Sequence, residues 1–482
     1  MVTTTVYERF VDFSAPLDDC WEVLPNEHWA FDMSPGCARL THTGEGNAEI
    51  FLRPCALPGD VMEFRFVPGA PRAGRFFCGL LVGFEYIRVE IDLRSGALAV
   101  FTHEFHKPQP RLQTTVTTGF YSLKLLRERD ELPGLPYEGC AVTVLLDDRP
   151  AARVGEIDFL PESLATFGFK GPGEASLASW SIAGRPRPRP EYTHVGVWQQ
   201  NQGNKPTNMD HARGLVEGVR QAAAAGVRIL VTPETSLTGL RMGAADFEDP
   251  QAVRETLEWF QRAVAQIANA PYTLIGYPEW VPGEQIEAAA APLVKVNRHR
   301  FVRPDGTLGP AMAKVHSCEE GLWHGRAYNF QRVDGVEIAM GVCHDGHYRD
   351  VWATGVMGGA RLCLHPAAGG QASGKIDDLR NGERYCPAAN LDSFWVHVNA
   401  GGPSSIVYPI PNAKVRETLL VFPKDLTEEN PTYPDYSYMG DLLAHAVIRL
   451  YDAAGCYPMR TLRGGRQAYE CWSRLAPPLV EV

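Results

Sequence analysis

Val336-Glu-Ile-Ala-Met-Gly-Val-Cys-His-Asp-Gly-His-Tyr348 is the stretch on which the reading of this chain turns. An apolar run, 338–342, ends on Cys343 and passes at once into polar, Gly-containing sequence. That is the pattern of a buried strand delivering its last residue to a turn, and an exposed nucleophile belongs at such an exit. Taken alone, a cysteine there is more simply a packed thiol, because free Cys is among the most buried residue types. A catalytic Cys343 therefore needs a base and an oxyanion stabiliser from elsewhere in the chain.

On both sides of this strand the sequence alternates strands with helices. Strands are expected at 193–199, 227–232, 272–277, 293–301, 311–314, 336–342, 362–365 and 394–399, and helices at 208–225, 251–268, near 350–358 and near 376–392. The first helix has Thr207 or Asn208 as its cap and Gly226 as its stop. Such alternation implies α/β architecture with helices covering a largely buried sheet. Upstream lies a linker, Arg185-Pro-Arg-Pro-Arg-Pro-Glu191, whose alternating prolines exclude a helix or a central strand. Before it the grammar is strands alone, at 6–13, 48–52, 61–67, 76–82, 86–93, 97–105, 114–124, 140–146, 152–159 and 176–182. Turn signals such as Arg94-Ser-Gly96 and Gly171-Pro-Gly173 separate them, which favours a β-sandwich or jelly roll. The expected organisation is a β-domain at 1–184, the linker at 185–191, and an α/β domain at 192–482.

Length and composition agree with two soluble domains. A chain of 482 residues exceeds what one core supports, and 45% hydrophobic with 21% charged residues is ordinary globular composition. A formal net charge of -11 without a Lys/Arg-rich run argues against nucleic-acid binding. Eleven cysteines at irregular spacing read as reduced thiols. The start of the chain lacks a basic flank followed by an apolar core, and no apolar run approaches the roughly 20 residues that span a bilayer. We therefore expect a cytoplasmic protein without membrane contact.

Two further strand exits carry ionisable residues. Glu234 follows the run Ile229-Leu-Val-Thr-Pro233, and Lys314 follows Pro310-Ala-Met-Ala313. Singly, Glu234 reads as a carboxylate at a helix start and Lys314 as an exposed lysine. Together, a Glu, a Lys and a Cys in that chain order, each at a strand end, resemble the nitrilase, or carbon–nitrogen hydrolase, superfamily over about 192–452. Glu319-Glu-Gly-Leu-Trp-His-Gly325 resembles the family segment that carries a second, supporting glutamate; Glu320 is the better candidate than Glu319 because Gly321 and an aromatic follow. Segments 396–402 and 440–448 resemble the late strands of the family. The resemblance implies a four-layer α-β-β-α sandwich and homo-oligomers. The β-domain is similar in its strand pattern to a concanavalin-A-like lectin or glucanase sandwich; Glu156 and Asp158 on one strand read as its solvent face rather than a glycosidase pair.

The chemistry follows from these residues. Glu234 accepts the thiol proton of Cys343, Lys314 lowers the cost of the anion, and Lys314 with the backbone N–H of His344 stabilises the oxyanion. Glu234 then protonates the leaving amine and activates water against the thioester. No cofactor is expected, and the substrate is a small molecule with an amide bond, bulky or glycosylated if the β-domain helps to position it. Nitrile-hydrolysing members carry Trp-Glu after the nucleophile, whereas His344-Asp345 here is closer to amidases, carbamoylases and ureidopropionases; nitrile and N-carbamoyl hydrolysis are the alternatives. Arg349-Asp350 stands where Pro-Glu is usual in aliphatic amidases. His344, Trp323, Tyr348 and His365 are the expected pocket residues. Segment 423–438 is a candidate cover for the site. Two rival classes are a carbohydrate- or metabolite-binding protein without activity and a metal site built on Cys343, His344, Asp345 and His347. The metal reading is disfavoured because the remaining candidates, His316, Cys318 and His324, lack zinc-ligand spacing.

Overall fold

The computed structural model describes residues 7–11, 21–23, 29–34, 37–44, 47–56, 60–68, 74–82, 85–104, 107–115, 121–131, 138–157, 163–184, 192–283, 292–319, 321–325, 329–357, 360–368, 393–400, 404–407, 418–421, 441–450 and 480–482. It divides into two compact units, Met1–Pro188 with Met459–Arg466, and Arg189–Pro458 with Gln467–Val482.

The first unit is built of strands: β1 (Tyr7–Val11), β2 (Trp21–Val23), β3 (Trp29–Ser34), β4 (Cys37–His42), β5 (Asn47–Ala56), β6 (Val61–Pro68), β7 (Arg75–Val82), β8 (Glu85–Asp92), β9 (Ala97–Glu104), β10 (Lys107–Thr115), β11 (Tyr121–Glu131), β12 (Glu138–Leu146), β13 (Arg149–Ile157), β14 (Ser163–Lys170) and β15 (Gly173–Gly184). They form two sheets, in the orders β13-β12-β11-β6-β15-β4-β3, with β1 also on β15, and β10-β9-β8-β7-β14-β5-β2. Alternate residues of β6 are buried, and its Phe64 and Phe66 meet Phe167 of β14 and Phe76 of β7, with ring centroids 5.7 and 4.1 Å apart. Aromatic pairs of this kind join side chains of one sheet to those of the other. Asp147 and Asp148 both take positive φ, as the tight β12–β13 hairpin requires.

The strand expected at 114–124 is two strands, the end of β10 and the start of β11. Among the described residues of this unit, four strands escaped the sequence reading altogether, namely β2, β3, β4 and β14, and most of β10 with them. The expected helix at 376–392, the candidate cover at 423–438, and Asp158 lie outside the described residues.

The second unit alternates types: β16 (Tyr192–Gln199), α1 (Asn208–Ala224), β17 (Ile229–Val231), α2 (Ala245–Glu248), α3 (Pro250–Val264), β18 (Tyr272–Pro282), β19 (Leu293–Val302), β20 (Met312–Ala313), β21 (Asn329–Val333), β22 (Val336–Met340), a 3-10 turn at Cys343–His347, α4 (Arg349–Met357), β23 (Leu362–Ala367), β24 (Phe394–Asn399), β25 (Ser404–Val407), β26 (Thr418–Val421), β27 (Leu442–Arg449) and β28 (Val480–Glu481). Thr207 caps α1 through its side chain and Asp249 caps α3, with Pro250 in the first turn. One sheet has the order β20-β19-β18-β17-β16-β27, the other β26-β25-β24-β23-β22-β21-β28. In each, three strands run parallel: β16, β17 and β18 in the first, β22, β23 and β24 in the second.

Near-continuous apolar strands are what burial on both faces demands. Val195, Ile229, Val231 and Leu274 of the first sheet share one core with Ile338, Met340, Leu362, Leu364 and Val396 of the second. Leu215, Val219 and Phe260 of α1 and α3 fill a second core with Leu230 and Ile275. Helix α4 lies on β22, where Gly341 and Gly355 leave space for Trp352 and Ala339. Strand β18 runs past the expected end at 277 and contains Pro278. Its pairing with β17 stops at Leu274, so a proline beyond that point removes no bond to β17. Among the described residues no helix is long and apolar enough to cross a membrane.

Candidate active site

Glu234 and Cys343 both follow parallel strands, β17 and β22, and Lys314 follows the two-residue strand β20. Beyond β17 the chain turns sharply. Thr232 Oγ1 donates to the Leu274 carbonyl at 2.6 Å, Thr235 takes a φ of 48°, and Leu237 N–H returns to the Gly276 carbonyl at 3.0 Å. A Cβ on Gly276 would lie 2.6 Å from both Thr235 N and the His299 ring, so only glycine lets the turn sit this close. Gln202 donates to the Glu234 carbonyl at 2.8 Å and accepts from Leu240 N at 3.1 Å, bracing the same loop.

The Glu234 side chain is completely buried. Its Oε1 accepts from Asn297 Nδ2 at 2.7 Å and from Lys314 Nζ at 3.0 Å, and its Oε2 accepts from Ala368 N at 3.1 Å. Donors on three separate segments thus fix the carboxylate's orientation. Lys314 is equally buried, its backbone N–H held by the Asn297 carbonyl at 3.1 Å, and its ammonium also contacts Glu319 Oε1. Burial works against that charge, yet the negative groups of Glu234, Cys343 and Glu319 outweigh it and raise the Lys314 pKa. For Glu319 burial is likewise overcome by Lys314, and its pKa is lowered. Lys314, whose charged form these neighbours favour, therefore contacts two carboxylates and lies within electrostatic reach of Cys343.

Cys343 opens the 3-10 turn with a φ of 46°, in the left-handed region that non-glycine residues rarely adopt. Two anchors hold it there. Asp345, fully buried, accepts from Val342 N at 2.9 Å, Val315 N at 3.2 Å and His316 N at 2.6 Å, tying the Cys343 turn to the segment after Lys314. Burial still pushes its carboxyl above the ordinary range, against those three donors. Asn329 makes the second tie, donating to the carbonyls of Ala313 at 2.9 Å and Met340 at 3.4 Å.

The structure thus brings Glu234, Lys314 and Cys343 together. Glu320 lies outside the described residues, while Glu319 contacts Lys314. Trp323 and Tyr348 are 44% and 37% exposed; Tyr348 stacks on His316 at 3.7 Å, and its hydroxyl lies 3.4 Å from His344 Nε2. His365, expected as pocket wall, has its ring committed elsewhere. Nε2 meets the Cys343 carbonyl at 2.8 Å, Nδ1 meets His397 Nδ1 at 2.9 Å, and the ring packs against Trp352 and Trp395. The residues weighed as metal ligands scatter, with Asp345 on backbone amides and His316 on Tyr348; among the described residues no three His, Cys, Asp or Glu side chains group around a common point. Sequence reasoning missed Asn297 and Asp345 as organisers. A polar Asn within the apolar alternation of 293–301 was the available signal for the first.

No family model matches the chain, and no curated protein matches it. Among solved structures, the chain is similar to an amidase from Nesterenkonia sp., with 12% identity and a TM-score of 0.42, over 58% of this chain and 96% of that one. It is also similar to a mutant of the Nesterenkonia sp. AN1 amidase in complex with butyramide, at 13% identity and a TM-score of 0.42, over 58% of this chain and 97% of that one. A further mutant, described as belonging to the nitrilase superfamily, matches at 13% identity and a TM-score of 0.41, over 59% and 98% of the two chains.

Proposed function

We propose that the second unit hydrolyses a non-peptide carbon–nitrogen bond, an amide in the first instance, through a thioester on Cys343. One observation carries this reading: a fully buried lysine held charged between Glu234 and Glu319, beside a cysteine whose backbone is forced into a left-handed turn. Such an arrangement is costly to fold and serves a structural purpose poorly, because a buried ionic cluster adds little stability over an apolar one. As catalytic machinery each part has work.

The thiol proton passes to the Glu234 carboxylate as sulfur bonds to the carbonyl carbon, and negative charge moves to the carbonyl oxygen. Lys314 and the His344 backbone N–H stabilise that oxyanion. Collapse breaks the C–N bond, and Glu234 returns its proton to the departing ammonia or amine. Water then attacks the thioester with Glu234 taking its proton, the C–S bond breaks to release the acid, and Glu234 returns the proton to the Cys343 sulfur. Glu319 holds Lys314 through a second ion pair and fills the supporting role. Trp323, Tyr348 and His344 contact the substrate at the mouth; Trp323 and Tyr348 are exposed apolar surface of the kind a bound organic group covers. The resemblance of Glu234, Lys314 and Cys343 to the nitrilase superfamily, and helices lying outside two sheets that share a core, support the four-layer reading.

The first unit we read as an accessory β-sandwich, lectin-like, that presents a bulky or glycosylated substrate; homo-oligomers and a cytoplasmic setting complete the proposal. The test is release of ammonia from a panel of amides, N-carbamoyl compounds and nitriles by the intact protein. Amide turnover that disappears in a folded Cys343→Ala variant is the expected result. Turnover unchanged by that substitution refutes the mechanism, and release from nitriles alone moves the activity to the other branch.

A further inference from the structure

Behind the nucleophile turn, two histidines of neighbouring parallel strands form a hydrogen-bonded pair that ends on the Cys343 carbonyl. A carbonyl oxygen only accepts, so His365 carries a proton on Nε2. In the tautomer that places this proton on Nε2, Nδ1 is an acceptor, and His397 supplies the proton across the 2.9 Å contact between the two Nδ1 atoms. The His365 ring has little freedom to leave this position. Trp352 and Trp395 stand against it with centroids 5.7 and 4.9 Å away, and it covers Gly346, where an added Cβ would lie 2.7 Å from its Cε1 and Nε2. Glycine at 346 thus has a reason in space: it admits the ring to the turn.

The Cys343 carbonyl belongs to the same peptide group as the His344 N–H. That group is planar and trans, so its N–H points away from its C=O. A donor fixed on the carbonyl fixes the direction of the N–H on the other side, and it polarises the peptide so that the N–H becomes a stronger donor. We propose that His365, set by His397, is a positioning residue that orients and strengthens the His344 N–H as oxyanion donor from behind. This rests on the reading of Cys343 as nucleophile given above. It assigns a purpose to a half-buried histidine, His365, and a buried one, His397, that take no part in the proposed proton transfers.

Two reagents separate the role from simple packing, because they attack the same thiol by different routes. p-Nitrophenyl acetate acylates a thiolate through an oxyanion: the C–S bond forms, the C–O bond breaks, and nitrophenolate leaves. Iodoacetamide alkylates by direct displacement of iodide, with no oxyanion. In the intact protein, His365→Leu should slow acylation of Cys343 by about 100-fold, the scale of losing one oxyanion donor, while alkylation changes by less than about threefold. His365→Gln, whose amide offers a donor to the carbonyl and an acceptor to His397, should recover most of the rate. Acylation undiminished in His365→Leu, or both reactions falling together, overturns the proposal. If the leucine variant does not fold, His397→Phe keeps the stacking and removes the donor that sets His365; it should slow acylation more than alkylation, and equal rates for the two reagents overturn the proposal. Peptide mapping of the unsubstituted protein keeps the two readings apart. If neither reagent modifies Cys343, the nucleophile assignment falls and this inference with it; if both do and His365→Leu behaves as the unsubstituted protein, the inference alone falls.

Discussion

Asp345→Asn is the sharpest structural test of how the Cys343 turn is held. The carboxylate accepts three backbone bonds: Oδ2 from Val342 N and Val315 N, and Oδ1 from His316 N at 2.6 Å. An asparagine oxygen can take over the Oδ2 position, but its NH2 then faces the His316 N–H and that bond is lost. The reverse orientation loses two. Leaving one buried donor unpaired costs about 1–3 kcal/mol, and the two surviving bonds weaken as their acceptor loses its charge. Because Asp345 is fully buried, no solvent screening reduces the effect, and the expected loss is about 2–4 kcal/mol. Urea unfolding of the substituted and unsubstituted chains, compared at equal slope, measures it. A difference below about 0.5 kcal/mol would show that the three contacts do not hold the turn.

Acid stability offers a separate check through His299, which is buried with both ring nitrogens lacking a partner in the structure and whose pKa burial lowers to about 3, with Lys314 adding to the effect. The unfolded chain takes up this proton near pH 6.5 and the folded one does not until about 3, so stability is full above 6.5 and falls as pH drops through that window. His299→Leu should flatten the pH dependence by about 1.4 kcal/mol per unit between pH 6.5 and 5, read from unfolding midpoints; an unchanged slope contradicts the assignment. Gly346→Ala should displace the His365 ring and lower Cys343-dependent turnover by about tenfold or more, with normal turnover counting against the close packing.

Much of the second unit was legible because strand exits advertise themselves. Glu234, Lys314 and Cys343 each follow an apolar run directly, and the structure brings all three together. What sequence spacing could not resolve was direction. Glu319 and Glu320 are adjacent and alike in residue type, and the contact of Glu319 with the Lys314 ammonium depends on the path of the chain after Lys314 rather than on spacing. His365 looked like pocket wall because its strand ends near the nucleophile, but its bond is to a backbone carbonyl 22 residues away, a partner that leaves no trace in residue type. In the first unit, β10 contains Pro108 and Pro110, which read as breaks, yet β10 is an edge strand, where a missing N–H is tolerated. The expected strand at 114–124 joined two segments because both are rich in β-favouring residues and the sequence between them offers only Gly119 as punctuation.

Glu234 and Cys343 follow strands of different sheets, and Asn329 links the end of one to the end of the other. The buried Glu234–Lys314 ion pair belongs to the first of these sheets and the left-handed Cys343 turn to the second. On the proposed mechanism, chemical competence then requires both sheets to be packed together, and a chain with only one of them formed would lack it.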